Sequence, residues 1–203
     1  MTGNFNIAVG ASSLASTSSG SDNIAVGYGA LSLNAGGSSN VAIGTSALAA
    51  NTTGTGMVAI GHQALRLADT NSFTVAIGYQ ALAANTTAQY NVAVGYVAAT
   101  AVTTGTQNTA IGWGTLVSAT TVNDNTAIGF NVLPNATGAS NTGVGSLALH
   151  DLSSGANNIG IGYQVTYPLL EVLLLAWWSL LMQRPSQLML TPLTLQRRLI
   201  RKP

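Results

Sequence analysis

The chain has 203 residues, of which only 5% are charged, with 23 glycines and no cysteine. A globular domain carries about 25% charged residues, and a disordered chain is charged or poor in aliphatics, whereas this one is 47% hydrophobic. The absence of cysteine excludes a disulfide scaffold and a thiolate metal site, and four Asp with one Arg before residue 167 cannot supply the basic stripe that nucleic acid requires.

The chain opens inside a pattern. Residues 3–6 (GNFN) match residues 20–23 (GSDN), and the first ten residues (MTGNFNIAVG) have neither the basic start nor the apolar run of a secretory signal. We therefore expect an internal start or a fragment of a longer fibre. The motif N-x-A-x-G then recurs, with its closing glycine at Gly10, Gly27, Gly44, Gly61, Gly78, Gly95, Gly112, Gly129, Gly145 and Gly162. Every step is 17 residues except the 16 between Gly129 and Gly145. A fixed period of this kind identifies a repeat architecture. The anchors are clearest in Asn23-Gly27-Leu31, Asn40-Gly44-Leu48 and Gly78-Leu82, where a small residue and a leucine follow the glycine. Met57 and Thr74 replace the opening asparagine in two copies.

Each copy begins with three residues such as 24–26 (IAV), 41–43 (VAI) or 92–94 (VAV). Alternation of β-branched residues with alanine predicts a strand, with the Ile/Val pair on one face and alanine on the other. The glycine permits a bend or a close backbone approach. A second short strand is expected to end in the pairs Ala30-Leu31, Ala47-Leu48 and Ala81-Leu82. Residues 33–39 (LNAGGSS) and 50–55 (ANTTGT) are turn chemistry. Two strands and two turns in 17 residues are too short for a helical crossover. They suit one rung of an all-β, parallel β-solenoid. Ten rungs at about 4.8 Å give a core roughly 50 Å long.

A rung burying about three large aliphatics gains roughly 1.5–3 kcal/mol from each. Ordering its residues costs on the order of 25 kcal/mol, so no rung stands alone and neighbours must cover it. The column Ala25, Ala42, Ala59, Ala76, Ala93, Ala110 and Ala127 is expected to let a second backbone approach, which favours an oligomer.

The residue after the anchor glycine is aromatic in six copies: Tyr28, Tyr79, Tyr96, Trp113, Phe130 and Tyr163. Tyr79, Tyr96, Trp113 and Phe130 are consecutive and should stack at the rung spacing. A stabilising cross-rung ladder is the preferred reading, and a row of exposed rings that binds sugars is its rival. Asn6, Asn23 and Asn40 suggest a structural asparagine ladder. His62 and His150 lie five rungs apart with no acidic partner expected, and Asp22, Asp69, Asp124 and Asp151 read as turn residues, so no catalytic or metal residues and no cofactor are expected. Scattered Thr pairs (Thr52-Thr53, Thr86-Thr87, Thr103-Thr104) lack the flat ladder of an ice-binding face, and a polysaccharide-degrading β-helix would need clustered acids.

The N-x-A-x-G motif followed by a small residue and leucine resembles the head repeats of trimeric autotransporter adhesins. The spelling GYQAL at residues 78–82 is similar to the repeats of many phage tail-fibre proteins. The likeness covers residues 3–166. It implies a left-handed parallel β-roll, three chains around one axis, and attachment to a host or surface, with a surface glycan or host receptor as partner. A virion tail fibre or a bacterial cell surface is the implied location. The repeat unit is longer than that of the adhesin heads, and neither a stalk heptad nor a C-terminal chaperone domain is evident, so assembly could require another chain.

Past residue 166 the language changes. Residues 167–203 contain no Gly or Asn, four of the five prolines and five of the six basic residues. Three readings compete: a frameshifted sequence, which we prefer because Leu, Pro, Gln and Arg arise when NCN codons shift by one base; a helix capping the solenoid; and a membrane contact. The apolar run at 169–182 is shorter than the roughly 20 residues of a span, so a membrane-anchored surface protein is the weaker alternative to a fibre segment.

Overall fold

In residues 23–31 (NIAVGYGAL) a three-residue strand, a glycine bend and a buried leucine follow one another, and this unit builds the fold. The computed structural model describes residues 2–17 and 19–165. Its strands are β1 (Ile7–Val9), β2 (Ile24–Val26), β3 (Val41–Ile43), β4 (Val58–Ile60), β5 (Val75–Ile77), β6 (Val92–Val94), β7 (Thr109–Ile111), β8 (Thr126–Ile128), β9 (Thr142–Val144) and β10 (Ile159–Ile161). They form one parallel sheet in chain order, each strand pairing with the next. Among the described residues there is no helix. The chain is a β-solenoid with one strand per rung, in the repeat unit Met1–Thr166. All three readings of the tail, 167–203, fall outside the described residues.

Register is kept throughout: Ile24 pairs with Val41, Ala25 with Ala42 and Val26 with Ile43. The short 16-residue repeat does not disturb it, since Thr126 still pairs with Thr142. The missing residue comes out of the turn, where Asn125 reaches the Gly138 carbonyl across 13 positions instead of 14.

Two expectations need correction. First, the alanines face inward. The middle residue of every strand but β1 is buried, while the flanking Ile and Val are half-buried or exposed. Alanine therefore offers no surface to a second backbone, and a rung does not bury three large aliphatics. A 17-residue coil is too narrow for large side chains from both walls. It accommodates one leucine (Leu31, Leu48, Leu65, Leu82, Leu116, Leu133 or Leu149) against alanines at close-packed density.

Second, the expected second strand is absent. The leucines sit at φ of 47–51°, in the left-handed region. That conformation costs a residue with a Cβ roughly 1–2 kcal/mol. The chain still bonds from rung to rung there: the Leu31 N–H donates to the Ala47 carbonyl (3.0 Å) and Leu48 to Ala64 (3.1 Å). Bending inward at each leucine closes the coil in few residues and places that side chain in the core.

The asparagine ladder is present and has a defined task. Each Asn Oδ1 accepts the backbone N–H at the same position of the next rung, as Asn6 does from Asn23 (3.0 Å) and Asn91 from Asn108 (2.9 Å). From Asn6 to Asn141 the Nδ2 crosses the coil to a carbonyl 14 residues on, 13 for Asn125, as Asn40 does to Gly54 (2.8 Å). One side chain thus satisfies two buried backbone groups that the sheet leaves unpaired.

Candidate functional site

The residue after the anchor glycine lies just beyond the outward-facing strand. There the rings of Tyr79, Tyr96, Trp113 and Phe130 stack as expected, and His62 extends the stack by one rung. Centroid separations are 5.3 Å (His62–Tyr79), 5.2 Å (Tyr79–Tyr96), 6.5 Å (Tyr96–Trp113) and 4.9 Å (Trp113–Phe130), with planes within 11° of parallel. Ring faces are therefore taken up by neighbouring rings, and the ladder presents its edges to solvent. Tyr28 and Tyr163 are exposed outside this stack. The signal for His62 was available in the spacing, since Gly61-His62 occupies the same column.

The larger surface is the sheet's outer face. Two β-branched side chains per rung project from it, from Ile7 and Val9 to Ile159 and Ile161. Threonine replaces the first of the pair in β7, β8 and β9. Outward residues as large as Ile43 and Ile111 remain more than a third exposed. No charged side chain occurs within any strand. The outer face is thus a contiguous, uncharged surface of β-branched side chains.

The polar candidates lead elsewhere. Asp22 and Asp124 hold left-handed turn positions (φ 59° and 57°), and Asp69 accepts the Thr52 hydroxyl (2.6 Å). His150 does have an acidic partner, contrary to the sequence reading: its Nδ1 lies 2.8 Å from Asp151 Oδ1, on the adjacent residue and in solvent. His62 is stacked in the ladder, far from that pair in sequence. Among the described residues no three His, Cys, Asp or Glu side chains gather to hold a metal ion, and no helix is long and apolar enough to cross a membrane. A shallow hollow between Leu33, Ala50 and Leu67 is bordered by Arg66, whose Nε is buried without a hydrogen-bond partner.

No family model matches the chain, and no curated protein or solved structure matches it.

Proposed function

We propose that the repeat domain is a structural and attachment segment of a homotrimeric fibre, of the kind found in phage tail fibres or on cell-surface adhesins. The observation that carries this reading is the aliphatic outer face of the sheet. It repeats at about 4.8 Å per rung, with threonine in the first column of β7, β8 and β9 only, and its side chains stay partly exposed in every strand. A surface with the same spacing covers such a ridge best, and another copy of this chain has that spacing. Three copies meeting face to axis bury every Ile/Val column at once and leave the polar turns outside.

The stiffness of the stacked rungs suits a spacer that carries a binding end away from a particle or cell. Trp113 and Phe130, at the C-terminal end of the ladder, are the residues proposed to meet a surface glycan or host receptor. The test is the mass of the full chain by light scattering after gel filtration. Three chains support the fibre. A stable, folded single chain with its aliphatic face in water overturns it. Retention of the trimer on immobilised bacterial polysaccharide, lost in Trp113→Ala, would add the attachment role.

A further inference from the structure

We propose that Phe73 and Tyr90, on one edge of the aliphatic face, pack against Tyr79 and Tyr96 on the opposite edge of a neighbouring copy of this chain, clasping adjacent subunits together. The proposal rests on the trimeric reading and specifies how its subunits meet.

Each strand is flanked by an outward residue on either side. Around β5 these are Phe73 and Tyr79, and around β6 they are Tyr90 and Tyr96. Among the described residues, no other strand has an aromatic residue at both edges: β4 has Gly56 and His62, β7 has Gln107 and Trp113, β8 has Asp124 and Phe130. The coil itself does not call for an aromatic before β5 or β6. That position lies at positive φ in rung after rung; Phe5 before β1 is a third aromatic there, and the other rungs fill it with Asp22, Ser39, Gly56, Gln107, Asp124, Ser140 or Asn157. A bulky residue is unusual there, yet Phe73 and Tyr90 adopt φ of 54° and 60°. They also remain 58% and 57% exposed. The pair gains little burial from its own coil and occupies a conformation that small polar residues enter more readily.

The two edges match in pitch. Phe73 and Tyr90 stack at 5.8 Å with planes 7° apart, and Tyr79 and Tyr96 at 5.2 Å with planes 10° apart. They lie at opposite ends of strands β5 and β6, and each ring stacks on the ring of its own edge in the adjacent rung. In a ring of parallel copies every subunit turns opposite edges to its two neighbours. The Phe73/Tyr90 edge of one then faces the Tyr79/Tyr96 edge of the next, at the same rungs. The strand face alone, about 43 Å by 10 Å, offers roughly half of the ~800 Å² per partner that stable interfaces use. The flanking residues must therefore join the contact. Both stacks leave ring edges free, and edges at matched pitch can interlock and bury apolar area between the copies.

The test uses the full chain, which has no cysteine of its own, carrying Phe73→Cys and Tyr79→Cys together. Other rungs place Ser39 or Ser140, and Thr45 or Ser146, at these positions, so the coil accepts small residues there. Oxidation, or a short bis-maleimide, is expected to give a covalent three-chain band on denaturing electrophoresis, absent from either single variant. The Tyr90→Cys/Tyr96→Cys pair should behave alike. A three-chain mass by light scattering with no cross-link from either pair would overturn the clasp and leave the fibre reading standing. A one-chain mass would overturn both.

Discussion

At the scale of single residues, the anchor glycine is the least replaceable element of the repeat. Gly27 has φ 129°, outside the range open to residues with a side chain, and a Cβ there would lie 2.7 Å from the carbonyl carbon of Gly44 in the next rung. Stacked rungs leave neither atom free to move. Gly29 is a different case: its φ of 65° is an ordinary left-handed turn, and a Cβ would meet only Ser46 Oγ at 3.9 Å. We expect Gly27→Ala to cost more than about 3 kcal/mol and Gly29→Ala about 1 kcal/mol. Chemical denaturation of the two variants measures the gap, and equal losses would refute the argument. The glycine column was legible in the sequence because only glycine satisfies both constraints. The leucine column was legible as a core and misread as a strand. Nothing in a leucine's identity signals left-handed φ, and only the need to close so small a coil imposes it.

At the scale of the rung, the asparagine relay determines how well buried backbone groups are paired. It stops in the fourth and fifth rungs. Asn40 still accepts the Met57 N–H (3.0 Å), but Met57 has no side-chain oxygen to offer Thr74, and the Thr74 hydroxyl donates to the Ser72 carbonyl (3.2 Å). Nearby, Asn71 donates to Asn85 (2.7 Å), yet Asn71 Oδ1 and Asn85 Nδ2 are buried without partners. Removing a working link, as in Asn108→Ala, orphans the Asn125 N–H and the Val122 carbonyl. It should cost roughly 2–6 kcal/mol at about 1–3 for each of the two buried groups. Thr74→Asn should do the reverse and stabilise by about 1 kcal/mol, because the Asn108–Val122 rung establishes that a side chain at the facing position is tolerated. Urea midpoints of both variants check the pair of signs. The relay was readable from the recurrence of Asn23 and Asn40. The direction in which alanine faces was not, because period-two alternation separates two faces without saying which is inside. Coil width decides it, and width follows from the bends at Gly27 and Leu31.

At the scale of the whole molecule, the same narrowness leaves the β-branched residues no room within, so each coil places its strongest strand formers on its outer face. In the proposed trimer, folding and assembly are then driven by different residues: leucine and alanine hold a rung closed, while isoleucine and valine are left for the neighbouring copies. This separation makes a sharp test possible. Ile60→Asp with Ile77→Asp alters two outward side chains that a lone coil leaves partly exposed. The cost there is strand preference, about 1 kcal/mol each, plus the partial burial each isoleucine loses, about 1 kcal/mol more. In a trimer the same change brings like-charged carboxylates together in an apolar contact, where each unpaired charge costs several kcal/mol. The variant should therefore retain its β-sheet circular dichroism while its mass falls from three chains to one. Ala59→Asp, one residue from Ile60 and wholly buried, should instead abolish the fold. Association of the parent chain should depend only weakly on salt, since the proposed contact has no charged side chain within its strands and only Asp22 and Asp124 at its edge. A double variant that stays trimeric would remove the aliphatic face from the assembly, and one that unfolds would mean that the coil and the assembly cannot be separated.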